Sequence, residues 1–224
     1  MIRRPAVVAF DIIETTFSLQ SLGPRLAAVG LPDDVVLLWY ARILRDGFAL
    51  AVTDVFATFR ELAAETLESM AAERGIALDA AARDGVLDGF AELDPFPDSA
   101  AAFRLLVEAG VRVVALSNGA AASTQALLAR AGMTALVERV ISVMEVSRFK
   151  PRRELYLHAA AVVGVAPAEM MLVATHAWDV HGAKRAGLTG GFVARRQPFP
   201  AVMGAPDVAG ESMLDVARAI VALP

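Results

Sequence analysis

The sequence contains no cysteine. Disulfides, thiolate nucleophiles and Cys-ligated zinc or iron–sulfur centres are thereby excluded. Lysine is nearly as scarce: of 21 basic residues only Lys150 and Lys184 are lysines, and Asn118 is the only asparagine. Trp39, Trp178, Tyr40 and Tyr156 are the only tryptophans and tyrosines. A chain that writes its positive charge as arginine keeps a lysine where a compact ammonium is wanted. Long apolar runs are also missing. The longest stretch without a charged side chain, Val113 to Ala129, contains Ser117, Asn118, Ser123, Thr124 and Gln125, so no membrane span is expected. The apolar run after Arg4 stops at Asp11, too short for a signal-peptide core, and the protein is expected to be cytoplasmic. A net charge of -4 without a basic stripe argues against a nucleic-acid partner.

What is present is a packed globule. Over 224 residues, 56% are apolar and 21% charged, a mixture that supports one main core with room for an inserted lobe. Val7-Val8-Ala9-Phe10 reads as a short strand that ends in Asp11, and Ile12 to Leu19 reads as irregular or strand-like. From Asp33 to about Leu93 come three helical patterns, weakly interrupted at Gly47, Gly75 and Gly85. They are closed by Asp94-Pro95-Phe96-Pro97-Asp98, after which Ser99 is placed to cap a helix. Further strands follow at Val111–Leu116, Val137–Met144, Met170–Thr175 and Gly191–Arg195. Helices separate them, one opened by Lys150-Pro151 with proline in its first turn, and a closing helix spans Met213–Leu223.

Strands alternating with helices imply an α/β fold with a parallel sheet covered on both faces. In such sheets the ligand crevice lies outside the carboxyl ends of the strands. Asp11, Ser117, Asn118, Lys150 and Asp179 all fall at or just after such ends, so the spacing predicts that they converge. The separate reading of each, as a loop polar group or a helix cap, loses weight when five recur in consecutive units. A strand-end carboxylate beside a lysine can be a nucleophile, a general base or a metal ligand. Two residues beyond Asp11 stands Ile13, and the last segment offers only Asp179, so a magnesium site is underbuilt even if Glu14 adds an oxygen. An ammonium about 4 Å away is worth roughly 4 kcal/mol at an effective dielectric of 20, enough to keep Asp11 ionised without a metal. The helix after Ser117-Asn118-Gly119 offers free N–H groups, suited to a small anionic substrate.

Phe10-Asp11-Ile12-Ile13-Glu14-Thr15, Leu116-Ser117-Asn118-Gly119, Lys150-Pro151 with Tyr156, and Ala177-Trp178-Asp179 resemble the four motifs of the haloacid dehalogenase superfamily. The closest resemblance is to its L-2-haloacid dehalogenase branch. It implies a Rossmann-like core of residues 1–19 and 95–224, with a helical cap of residues 20–94. It also implies that Asp11 displaces halide from C-2 as an ester, which water activated by Asp179 then cleaves, with no metal or other cofactor. Thr15 and Ser117 would position the nucleophile and the substrate carboxylate, and Lys150 would hold Asp11 ionised. Asn118 would contact the halide, Tyr156 would steady Lys150 or Asp11, and Trp178 would complete the binding set. The chain departs from the family where an arginine should follow the cap tryptophan. Here Trp39 is followed by Tyr40, leaving Arg42 or Arg45 as substitutes or as solvated surface charges. Ala174 and His176 stand where the family favours serine and asparagine; His176 could serve as base or anion donor. A magnesium-dependent phosphatase using Asp11 on phosphorus and a non-catalytic anion-binding member remain alternatives. The apolar cap residues Phe48, Leu50, Val55, Phe56 and Phe59 could serve a homodimer interface as well as the core.

Overall fold

The computed structural model describes residues 2–224. The first strand, β1 (Val7–Asp11), is buried along its whole length and carries the nucleophile candidate at its end. A tight turn follows in which Glu14 takes a left-handed backbone (φ 65°) and its carboxylate accepts the Leu19 N–H at 2.6 Å. The chain then runs through β2 (Phe17–Ser18), α1 (Gly23–Ala28), α2 (Val36–Val52), α3 (Phe59–Ala72), α4 (Ala80–Asp88) and β3 (Asp94–Pro95). β2 and β3 pair antiparallel, Phe17 opposite Pro95, so the chain leaves and re-enters through adjacent strands. After β3 come α5 (Ser99–Glu108), β4 (Arg112–Ser117), α6 (Ala121–Arg130), β5 (Arg139–Ser142), α7 (Arg153–Val162), β6 (Met170–Ala174), α8 (Ala177–Arg185), β7 (Thr189–Val193), β8 (Val208–Gly210) and α9 (Met213–Val221).

The six long-sheet strands are all parallel, in the order β5-β4-β1-β6-β7-β8. Valine, alanine, leucine, methionine and phenylalanine fill β1, β4 and β6 because both faces of a parallel sheet are covered by helices. From β1 the chain steps outward through β4 to β5, then returns to the other side of β1 for β6. That reversal puts the switch point at the ends of β4, β1 and β6. Left-handed glycines, such as Gly110 (φ 78°) after α5 and Gly164 (φ 72°) after α7, stop a helix just before the next strand.

The α2 helix faces the segments after β5 and β6 with one stripe, Tyr40, Gly47, Phe48 and Ala51, a helical spacing. Gly47 does not interrupt it. A Cβ there would lie 2.7 Å from the Phe149 ring, so glycine in mid-helix is the cost of close packing against the segment that leads to Lys150. On the other side, Trp39 Nε1 donates to Ala63 O and Thr66 Oγ1 of α3 at 3.1 and 3.0 Å.

Several local expectations are corrected. The helix after Lys150 begins at Arg153; the Lys150–Pro151 peptide is cis and precedes it, because the Lys150 backbone and side chain are both committed to other partners. Ser99 does not cap α5 but donates to Thr16 O at 2.9 Å, across to the β2 end. The third expected strand shrinks to β5, and β8 has no sequence counterpart in the reading above, since its Val208-Ala209-Gly210 is too short to show alternation. Gly85 also lies inside a helix, α4.

Candidate active site

Asp11 is buried at the end of β1, and each of its oxygens is held. Lys150 Nζ donates to Oδ1 at 2.7 Å. Thr15 Oγ1 donates to Oδ2 at 2.7 Å, and His176 Nδ1 lies 3.1 Å from the same oxygen. An ionised carboxylate only accepts, so Nδ1 carries the proton and Nε2 is left open. Thr15 is oriented in turn, because its hydroxyl accepts the Thr175 N–H at 3.0 Å and must send its own hydrogen to Asp11. Thr16 Oγ1 donates to the Asp11 carbonyl at 2.7 Å.

Lys150 is fully buried and stands between two carboxylates: its Nζ also donates to Asp179 Oδ2 at 2.6 Å and to Leu116 O at 3.3 Å. Tyr156 OH donates to the other Asp179 oxygen. Tyr156 reaches it because Gly182 of α8 has no side chain; a Cβ there would meet Pro151 Cβ at 2.6 Å and Tyr156 Oη at 2.9 Å. The environments of the two acids push them apart. Burial alone would raise Asp11, but the Lys150 charge and the His176 contact outweigh it and hold Asp11 well below the usual carboxylate range. For Asp179, burial wins, aided by the charge of Asp11, and its carboxyl lies above its ordinary value despite Lys150. Burial would lower Lys150, yet the two carboxylates together lift it above the usual lysine value. Asp11 is thus suited to stay anionic, and Asp179 is the better proton acceptor of the two.

On the β4 side, Ser117 Oγ accepts the Gly119 N–H at 2.9 Å, while Ser142 Oγ of β5 donates to Gly119 O at 2.7 Å and fixes the turn. The Asn118 side-chain carbonyl accepts the Lys150 N–H at 3.0 Å, which leaves its NH2 group to donate elsewhere. The turn delivers the chain into α6, whose first N–H groups have no side-chain cap. Beyond Asp11 the wall is aromatic. His176 stacks on Trp178 with ring centres 5.3 Å apart, Tyr40 lies 5.8 Å from His176, and Phe48 meets Trp178 edge-on at 4.9 Å. Burial and the charges of Asp11, Glu14 and Asp179 raise the Tyr40 phenol well above its usual value, so it stays a donor. A cavity of about 520 Å3 opens beside the turn, between Ser117 and Gly119 on one wall and the ends of α3 and α4 on the other.

Asp11, Thr15, Ser117, Asn118, Lys150, Tyr156, His176, Trp178, Asp179 and Tyr40 therefore gather in one place. Arg42 does not: it makes a bidentate pair with Glu73 at 2.6 and 3.0 Å on the outer side of α2. Arg45 pairs with Asp46. Tyr156 contacts Asp179 and not Asp11 or Lys150. Four supporting residues escaped the sequence reading: Thr16, Thr175, Ser142 and Arg195. Arg195 donates to Thr15 O at 3.0 Å from a left-handed backbone (φ 41°), with its guanidinium over the Phe96 ring. Only the run of hydroxyls after Asp11 hinted at any of them. Among the described residues no group of three or more His, Asp or Glu side chains is arranged to hold a metal ion.

The chain is similar to known proteins in sequence and in fold. The family model of haloacid dehalogenase-like hydrolases matches residues 7–187. An (S)-2-haloacid dehalogenase of Xanthobacter autotrophicus is 32% identical over 190 residues, covering 84% of this chain and 74% of the relative. Another, from Pseudomonas sp. (strain YL), is 27% identical over 182 residues, covering 80% and 78%. The solved L-2-haloacid dehalogenase of X. autotrophicus with chloropropionic acid covalently bound superposes with a TM-score of 0.90 at 26% identity, over 100% of both chains. With a strand-end aspartate bound to a buried lysine, a sheet of matching topology and a family match over most of its length, this chain belongs to the haloacid dehalogenase-like hydrolases.

Proposed function

We propose that the enzyme hydrolyses the carbon–halogen bond of 2-haloalkanoic acids, with Asp11 attacking C-2 and residues 20–94 closing over the site as a cap. The observation that carries this reading is the Asp11–Lys150–Asp179 line: one buried ammonium, 2.7 Å from one carboxylate and 2.6 Å from the other, holds Asp11 anionic. An aspartate kept anionic by an amine in a dry site is a nucleophile for carbon, and the relatives' (S)-2-haloacid activity fits that chemistry.

The substrate carboxylate would lie at Ser117 and the first N–H groups of α6, with C-2 in line with an Asp11 oxygen. In the first step the Asp11 oxygen bonds to C-2 as the halide leaves with the bonding pair, inverting the carbon and giving an aspartyl ester. The Asn118 NH2, the Tyr40 hydroxyl and the half-buried Trp178 edge are the donors available to the departing halide. In the second step water adds to the Asp11 carbonyl carbon, and its proton passes to Asp179. The ester then breaks to release a 2-hydroxy acid and restore Asp11. Holding the anion for collinear attack contributes on the order of 7–11 kcal/mol of barrier lowering. No metal or other cofactor enters either step. Halide release from fluoro-, chloro- and bromoacetate and from both enantiomers of 2-chloropropionate tests the reading, with Asp11→Asn as the control. Release that disappears in Asp11→Asn and survives a chelator is expected; phosphate-ester hydrolysis dependent on magnesium, without halide release, would replace the reading.

A homodimer is part of the same proposal. Leu37, Leu38, Val52 and Val55 are exposed along α2 and its end and offer an apolar face. A single sedimenting species of twice the chain mass is the expected outcome.

A further inference from the structure

We infer that the preferred substrates carry an extended apolar group on C-2, an inference that rests on the dehalogenase reading above and narrows its substrate class. The cavity beside the Ser117–Gly119 turn holds about 520 Å3. Pockets that enclose molecules of many heavy atoms fall at roughly 300–1,000 Å3. A haloacetate, with a handful of heavy atoms, would fill only a small part of it. The rest of the wall states what belongs there: Ile13 after β1, Phe59 at the start of α3, Leu87 near the end of α4, Phe90, Leu127 of α6 and Met144 after β5.

Charge in the cavity is already spoken for. Arg60 at the rim pairs with Asp88 at 3.0 Å and with Asp84 at 3.7 Å, and Glu92 pairs with Arg25. None of these groups asks for a polar end on the substrate. The hydrogen-bonding end is instead at Ser117, Gly119, Ser123 and Thr124, which line the cavity together at the turn proposed to hold the carboxylate and the first turn of α6. Asp11 is one residue from Ile12, another wall residue, and its Cα pairs across the sheet with Leu116. A 2-haloacid anchored by its carboxylate at the turn and presenting C-2 to Asp11 therefore has one roomy direction for its remaining substituent, along the apolar wall. A linear alkyl or a phenyl group suits that space.

Two measurements test this. The first is kcat/KM for bromide release from 2-bromopropionate, 2-bromobutyrate, 2-bromohexanoate and 2-bromooctanoate. Each buried methylene is expected to raise it about fourfold, giving roughly 60-fold between the propionate and the hexanoate. Filling the cavity with Ala91→Phe or Ala91→Trp, neither of which touches the catalytic groups, should abolish this gradient and leave 2-bromopropionate within about twofold. A flat or falling gradient in the wild-type enzyme, or filling variants that slow short and long acids alike, overturns the inference. The second measurement is calorimetric binding of unhalogenated acids, which needs no chemistry. Octanoate should bind at least tenfold more tightly than acetate, and equal affinities overturn the assignment. Halide release from no acid of any length would strike the dehalogenase reading itself, through a signal separate from the binding series.

Discussion

At the residue scale the central object is a lysine shared by two aspartates. Because the Asp11 carboxyl is held below its ordinary value, its protonation does not limit activity near neutrality. The Asp179 carboxyl is raised, so the acid limb of kcat against pH should belong to it and lie above the ordinary aspartate value of about 3.9. Lys150 is raised as well, so the alkaline limb should fall above the usual lysine value of about 10.4. For stability the signs differ. The depressed Asp11 stabilises the fold above its unfolded value, and that contribution is lost as pH falls through the folded one. The raised Lys150 contributes fully below its unfolded value and is lost as pH rises through the folded one. A pH–rate profile with its acid limb below pH 3 would contradict the assignment of base and nucleophile. Replacing the ammonium by an isosteric apolar chain, Lys150→Met, strands two buried acids. A loss of about 3–5 kcal/mol in denaturant unfolding is expected, with no rescue by Lys150→Arg, whose planar fork cannot occupy the ammonium position. Arg42→Ala, in contrast, should leave kcat/KM within about twofold, because that guanidinium is engaged by Glu73. A large fall would place Arg42 back in the site.

At the scale of elements, the strand ends were readable and their supports were not. The apolar run Val7–Phe10 stopping at Asp11, and Val111–Leu116 running into Ser117, show in sequence because a doubly covered strand must be apolar until it reaches the crevice. Lys150 stands out by the scarcity of lysine, but the Pro151 after it predicts a helix start there. In fact Pro151 and Arg152 keep the lysine outside the helix, where its backbone N–H reaches Asn118 and its ammonium reaches Asp11. Nothing local in Phe149-Lys150-Pro151 announces that, because the partners lie 32 and 139 residues away. The same holds for Gly47 and Gly182, which read as weak helix interruptions or as nothing and are close-approach points between elements. Gly182→Ala tests this directly. The added methyl must displace Pro151 or Tyr156, so a loss of about 1–3 kcal/mol is expected. It should come with a shift in the acid limb of the pH profile, because Tyr156 would no longer donate squarely to Asp179. Unchanged stability and profile would mean that α7 and α8 pack more loosely than described.

For the whole molecule, the sheet brings to one point residues drawn from four separate parts of the chain, and the α2 helix lays Tyr40 and Phe48 over them. The sequence motifs made the core half of that site legible, since their order follows strand order. The α2 side was not, because which face of a helix turns inward depends on packing that single positions do not encode. Tyr40 and Arg42 are two residues apart and point to different surroundings. The claim that unites these scales is that Asp11 bonds to carbon and water cleaves the resulting ester at the aspartyl carbonyl. A single turnover in water enriched in oxygen-18, with enzyme in excess over 2-bromopropionate, measures it most directly. Peptide mass spectrometry should find the heavy oxygen in the Asp11 carboxylate and none in the first lactate released. Label in the first lactate with none in Asp11 would mean that water attacks C-2 itself, and would contradict the account.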